Sequence, residues 1–229
     1  MKRINIAIDG FSGCGKSTLA RQLAKKLDYV FVDTGAMYRA ITYLVKENID
    51  SADPIKKTID SNPVIEFNEL NDVIINGDNL EREIRGDAVA NKVSEVAADE
   101  RVRDYLLQLQ TRLIDGKGVV MEGRDIGSII MPNAELKLFI TAKQDIRVER
   151  RFLQLGGQAN GVLRKEVADN LRSRDTKDVN RSTAPLILVD DAIAIDTTFL
   201  SEEEQLKLAV SIASPLIDSE GLLGSLSLG

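Results

Sequence analysis

The chain has 229 residues, 43% hydrophobic and 29% charged, with 4% aromatics and no Trp, a composition suited to one folded core of mainly aliphatic side chains. Its net charge of −6 argues against a broad nucleic-acid or membrane surface, while leaving room for small basic pockets. With no His and a single cysteine, Cys14, imidazole bases, histidine triads, histidine metal sites and an internal disulfide framework are excluded.

The opening MKRINIAIDG lacks a cleavable signal pattern, and no stretch approaches the ~18 apolar residues of a membrane span. A cytoplasmic protein is expected. Ile4, Ile6 and Ile8 form an apolar run closed by a glycine-rich turn, and Leu19, Leu23 and Leu27 then recur at helical spacing, which predicts strand, loop, helix. Tyr29 to Val32 predicts a second strand ending at Asp33, and Ala36 to about Val45 a second helix. Val119–Met121, Leu136–Ile140 and the pair Ile193 and Ile195 supply three more strands. Five strands alternating with helices predict an α/β fold with a mostly parallel central sheet.

Between the second and third of these strands, Val64–Phe67 and Val73–Ile75 are β-rich, with Asn76-Gly77 as a turn signal. A small β insertion over about 60–110 is expected, leading into one long helical segment from about Val89 to Leu113. The arginine-rich run from Arg147 to Arg181, broken at Gly156 and Gly157, predicts a helical lid over about 150–172. Ser201 and Glu204 suggest a capping box for a last helix, and the tail from Ser214 reads as loosely ordered. Residues 1–229 are read as a single domain.

Gly10, Phe11, Ser12, Gly13, Cys14, Gly15, Lys16 and Ser17 match the eight-position phosphate-loop pattern, set between the first strand and first helix where that chemistry requires it. Glycines let backbone N–H groups curl around an anion, and the helix N-terminus adds positive partial charge. Lys16 can then reach the β and γ phosphates while Ser17 ligates Mg²⁺; Thr18 continues the cradle. The expected ligand is MgATP or MgGTP. Cys14 is read as a small residue that tolerates the loop, without a role of its own.

Two further clusters follow strand ends, the edge at which open α/β sheets bind ligands. One is Asp33, Thr34, Gly35, Ala36, Met37, Tyr38, Arg39; the other is Glu122, Gly123, Arg124, Asp125. A third, Arg174, Asp175, Asp178, Asn180 and Arg181, follows a helical stretch. Phosphoryl transfer needs several cations around donor and acceptor, which Lys16 alone does not provide. Any phosphorylated acceptor fits these basic residues, so a kinase for another nucleotide or a small metabolite stays open. A non-catalytic nucleotide switch is disfavoured, because Asn91-Lys92 is followed by Val93 and Ser94 rather than by a guanine-reading Asn-Lys-x-Asp motif.

GFSGCGKST, DTGAMYRA, IRGDAVANKVSEVAADERVR, EGRDIGSIIMP and RSRDTKDVNR occur in an order that resembles the bacterial cytidylate kinases, over Ile4 to about Ala213. The resemblance implies a P-loop kinase fold that moves the γ-phosphate of ATP, with Mg²⁺, onto CMP and also dCMP, with no nucleic-acid polymer or membrane partner. It implies a CMP-binding set that includes Thr34, with Arg39, Arg124 and Arg181 on the CMP phosphate. Ser94, Arg103 and Asp125 would read the cytosine edge, Asp178 would hold the sugar hydroxyl, and Arg174 would approach the transferring group. Lys16, Arg124 and Arg174 would be catalytic. Two residues depart from the family's pattern: Glu122, proposed to act on Mg²⁺ through water, stands where many relatives carry Asp, and Phe11 replaces a frequent Pro. Which of Arg147, Arg150, Arg151 or Arg164 closes on ATP stays open, and a monomer is expected.

Overall fold

The computed structural model describes residues 2–157 and 161–217. Asn160, assigned to the lid, and the GSLSLG tail lie outside the described residues.

Five strands build the central sheet: β1 (Ile6–Gly10), β2 (Val30–Asp33), β6 (Val119–Glu122), β7 (Leu136–Thr141) and β8 (Ile193–Asp196). Their order is β2-β6-β1-β7-β8 and every pairing is parallel, as the alternating pattern predicts. Parallel sheets are covered on both faces, so the central strand can be apolar at successive positions. Here β1 alternates between two cores: Ile6 and Ile8 pack with Leu19, Leu23, Ala209 and Ala213, whereas Ala7 packs with Met37, Ile41, Val102 and Leu106. The first set comes from helices α1 (Lys16–Leu27) and α9 (Glu202–Ile217), the second from α2 (Thr34–Glu47) and α6 (Glu100–Leu113). Asp9, next on the Ala7 face, is thereby aimed at the segment that follows β6.

The insertion forms a three-stranded antiparallel sheet, β3 (Ile65–Phe67), β4 (Val73–Ile75) and β5 (Asp78–Asn79). Asn76 and Gly77, at φ 51° and 93°, make the tight turn that pairs Ile75 with Asp78. Val73, Ile75 and Ile84 then pack on Ala36 and Ala40 of α2, fixing the insertion to the helix that begins at the end of β2. Short helix α4 (Glu81–Ile84) leads into α5 (Asp87–Val96).

Four expectations are corrected. The long helix over Val89–Leu113 is two helices, because Asp99 turns its carboxylate back to accept from the Arg101 N–H at 2.9 Å and starts α6 afresh. The second helix starts at Thr34 rather than Ala36, capped by Asp33. Helix α3 (Pro54–Asp60), unanticipated, has Asp53 accepting from the Lys56 N–H and Pro54 in its first turn. Ser214 through Ile217 belong to α9, and the Ile217 carbonyl accepts from Lys2 N. The capping box does form, with Ser201 N donating to Glu204 at 2.8 Å and Glu204 N to Ser201 Oγ at 3.3 Å. In the arginine-rich region α7 (Gln144–Gln154) and α8 (Arg164–Asn180) flank the Gly156-Gly157 break.

Candidate active site

Parallel strands end at one edge, so the segments after β1, β2 and β6 converge there, and a cleft of about 690 Å³ opens above them. The phosphate loop forms its floor. Gly10 approaches β7 so closely that a Cβ would sit 1.9 Å from the Ile140 carbonyl oxygen, and its φ of 142° is open to glycine alone. Gly15, at φ 93°, is the N-cap of α1 and leaves its first N–H groups without a side-chain cap, as an anion cradle requires. Ser12, Gly13, Gly15, Lys16, Ser17 and Thr18 line the cleft, whereas Phe11 and Cys14 do not. Cys14 is buried, its thiol donating to the Phe11 and Ile140 carbonyls, which agrees with a residue that only completes the loop. Phe11 packs edge-on against Phe139 and lies under the Arg147 guanidinium, 5.3 Å from the ring centre.

Lys16 is buried and donates from Nζ to the Phe11 carbonyl at 2.8 Å. Burial, and then the nearby Arg124 charge, hold its pKa below the usual lysine range. Ser17 Oγ donates to Glu122 Oε1 at 2.5 Å. Glu122 lies beside Asp33 in the β2–β6 register; burial first and the Asp33 charge second push its carboxyl upward. A hydroxyl and two carboxylates thus meet at the phosphate end of the cleft, a donor set suited to a hard cation.

Across from the loop stands a group of guanidiniums. Arg124 donates from Nε to Asp178 at 2.7 Å and from Nη2 to Ser12 Oγ at 2.7 Å. Arg174 is half-buried, and its buried Nε has no hydrogen-bond partner; loss of hydration first, then Arg124 and Arg39, bring its pKa down to about 10. Arg39 is also brought down to about 10, by burial and then by Arg85. Among the described residues neither Arg39 nor Arg174 forms an ion pair. Cations gathered without counter-charges at a cleft wall are a site for an anion.

Deeper on the same side, the Asp125 carboxylate is buried against Arg103 Nη2, and Arg181 Nη2 lies 3.6 Å away. Tyr38 stands beside them, its hydroxyl pushed up to about 12 by burial and then by the Asp125 charge. After Asp125 the chain makes a π-helical turn, Ile126–Ile130, whose first N–H groups are held by Asp9: Ile126 N and Gly127 N donate to its carboxylate at 2.9 and 2.8 Å.

Of the acceptor-side residues picked from sequence, Thr34, Arg39, Ser94, Arg124, Asp125, Asp178 and Arg181 line this one cleft, together with Arg174. Arg103 stands behind Asp125 instead. Thr34 spends its hydroxyl on the Glu122 carbonyl at 2.8 Å, fixing one strand end to the next. The four lid arginines separate. Arg147 is committed to Asp175 and to the Ser12 and Ala142 carbonyls, and Arg164 forks onto Glu149 away from the cleft. Arg150 and Arg151 line the cleft, with Arg150 held by Thr197 at 3.0 and 2.6 Å. Sequence reasoning missed Asp9 and Arg85, since their partners are distant in sequence, and it gave Asp33 no task.

A glycine phosphate loop joining β1 to α1 on a parallel five-stranded sheet, faced across a cleft by unpaired guanidiniums, defines a P-loop nucleotide-binding enzyme of the kinase class. The cytidylate kinase family model matches residues 6–214, and the chain belongs to that family. It is 44% identical to the cytidylate kinase of Flavobacterium johnsoniae, covering 95% of this chain and 99% of that protein. It is 40% identical to the cytidylate kinase of Caldicellulosiruptor saccharolyticus, covering 96% and 100%. Among solved structures, a gluconokinase from Sinorhizobium meliloti 1021 superposes with a TM-score of 0.49 at 13% identity, covering 97% of this chain and 99% of the other.

Proposed function

We propose that the protein transfers the γ-phosphate of ATP to CMP, and to dCMP, giving ADP and the nucleoside diphosphate. The observation that carries this reading is the pairing of two differently built walls in one cleft. One is a phosphate loop with Lys16; the other joins unpaired guanidiniums to the buried Asp125 carboxylate beside Arg103 and Arg181. The first suits a triphosphate, and the second suits an anion attached to a base that offers an amine. Cytosine presents such an amine where uracil presents a carbonyl.

In this mechanism a CMP phosphate oxygen, already anionic, attacks the γ-phosphorus in line and the bond to the β-phosphate oxygen breaks. No general base is needed. The chain's contribution is position and charge. Loop N–H groups and Lys16 hold the β and γ phosphates; Arg39, Arg124 and Arg181 hold the acceptor phosphate; Arg174, with no hydrogen-bond partner at Nε, meets charge on the moving phosphoryl group. Ser94 and Asp125 read the base, Arg103 acts on it through the Asp125 carboxylate that it holds from behind, and Asp178 reaches the sugar. Arg150 and Arg151 are the lid arginines assigned to ATP, the insertion over about 60–110 carries the acceptor, and the segment over about 150–172 excludes water on closing.

Mg²⁺ fits the oxygens gathered at Ser17 and Glu122, where it would neutralise β and γ oxygens and Glu122 would act through water. Among the described residues no three His, Cys, Asp or Glu side chains form a ready cation site, so most ligands would be phosphate oxygens and water. Among the described residues, no helix is long and apolar enough to cross a membrane. A cytoplasmic monomer completes the proposal, to be checked by fractionation and light scattering. The deciding experiment measures ADP release from MgATP with CMP, dCMP, UMP, AMP or no acceptor. Turnover with CMP and dCMP, and little without acceptor, is expected. Turnover only with a different phosphorylated metabolite would overturn the acceptor, and turnover with none would overturn the kinase.

A further inference from the structure

Arg85 has no part in the reaction described above. It ends α4 in the insertion, directly before Gly86, the N-cap of α5. Its Nη2 donates to Asp33 at the end of β2 at 3.0 Å, and its Nε to Glu81, one turn back, at 2.8 Å. The guanidinium therefore spans from the insertion to the edge of the central sheet, and it lines the cleft. A guanidinium has five donors, so these two bonds leave donors for a third anion.

Its cleft neighbours are other cations. Arg39 and Arg151 line the same cleft, and for both the Arg85 charge is the leading cause, after burial, of a lowered pKa. Arg85 itself is held upward by Asp33 and Glu81, but its charge disfavours Arg39 and Arg151 unless an anion lies between them. Asp33 and Glu81 form their ion pairs with Arg85, and although the Asp33 charge also reaches Arg39, neither acid pairs with Arg39 or Arg151. Moreover α5 carries Ser94 eight residues beyond Gly86, about 12 Å along the helix axis. One short segment thus brings two polar side chains to the cleft at points too far apart to serve the same end of a small ligand.

We infer that Arg85 is an acceptor-phosphate contact supplied by the insertion, which thereby grips the acceptor nucleotide at both ends, the base through Ser94 and the phosphate through Arg85. This rests on the proposed CMP-kinase reading. A bond from a guanidinium to phosphate is charge-assisted, whereas a half-exposed ion pair adds little by itself.

The test is steady-state kinetics on the full chain with Arg85→Gln, Arg85→Lys and Glu81→Gln. Arg85→Gln raises the KM for CMP by about tenfold to a hundredfold, while the KM for ATP and acceptor-free ATP hydrolysis change less than about threefold. Glu81→Gln removes one partner and keeps the guanidinium, so the KM for CMP stays at the wild-type value. An unchanged KM in Arg85→Gln, or an equal rise in Glu81→Gln, overturns the inference and leaves Arg85 a structural ion pair. Should Arg85→Gln fail to fold, Arg85→Lys decides, since it keeps the charge and loses the fork. Its KM for CMP still rises if the inference holds and is unchanged if it fails. A wild-type chain that does not turn over CMP refutes the acceptor reading itself, a result separable from all of these.

Discussion

Replacing Asp125 by Asn separates specificity from stability at one buried position. The side chains of Asp125 and Arg103 are 4% and 7% exposed, so solvent screens their pairing little, and Arg181 adds a second positive charge 3.6 Å away. Breaking one half of a buried pair costs about 3–5 kcal/mol. The amide keeps the shape and one acceptor, which puts the expected loss at about 2–3 kcal/mol. For a chain of this length each kcal/mol moves Tm by about 2–4 °C, so Tm falls by about 4–12 °C. The effect on specificity is of a different kind. The carboxylate accepts from the cytosine amine and repels the uracil carbonyl; the Asn amide can turn its NH₂ toward that carbonyl. Sites built on such a contact discriminate by orders of magnitude, so the ratio of kcat/KM for CMP over UMP falls by about 100-fold or more. Coupled ADP release with each acceptor, beside a thermal melt, measures both quantities. A lower Tm with an unchanged ratio would show that Asp125 serves only to balance Arg103 and Arg181.

Lys16→Met lowers kcat by about 100-fold or more and leaves Tm unchanged or higher, because a buried cation already disfavoured by Arg124 gives way to an apolar chain; a variant with most of its turnover sinks the role of Lys16. Asp9 has its carboxyl raised from 3.8 to about 6 by burial, so its stabilisation is full below pH ~4 and is lost as pH rises through about 6, by about 3 kcal/mol in all. Asp9→Asn lacks this term, so denaturant melts at pH 4.5 and 7.5 show the wild type losing its advantage with rising pH. A pH-independent difference refutes burial as the cause. Gly10→Ala, whose Cβ meets the Ile140 carbonyl, costs about 3 kcal/mol or more, while Gly77→Ala, with no atom within 4 Å, costs about 1 kcal/mol of backbone strain. Equal losses in urea melts would mean that the loop does not approach β7 closely.

The sequence announces what local chemistry determines. Ile6, Ile8 and the glycines before Lys16 carry strand, loop and helix within a few residues, and the five apolar runs place all five sheet strands. The break between α5 and α6 is harder to read, because apolar side chains recur on both sides of it while Asp99 alone makes the new start. The Asp53-Pro54 signal for α3 was legible, since a capping carboxylate precedes a first-turn proline. By contrast, nothing near Ile126 foretells the π-helical turn. Its geometry is held by Asp9, 117 residues earlier, a contact that only the assembled sheet creates. The lid arginines divide for the same reason. Phe11 and Asp175 take Arg147, Thr197 takes Arg150, and Glu149 takes Arg164, partners that spacing along α7 and α8 does not reveal.

The overall charge of −6 and the anion site are reconciled by where the carboxylates go. Asp178 is taken by Arg124, Asp125 by Arg103, Asp33 by Arg85, Glu122 by Ser17 and Glu202 by Gln22. Every acid at the cleft wall is thus already engaged, while Arg39 and Arg174 face the cavity without an acid of their own. Surface acids farther away count for little there, since at physiological salt a charge is screened over about 8 Å. Burial works against the same two cations, which is why both are brought down to about 10. Each step that brings a phosphate between them restores the cost of gathering them, and that restored energy is available to draw the insertion and the lid over the substrates.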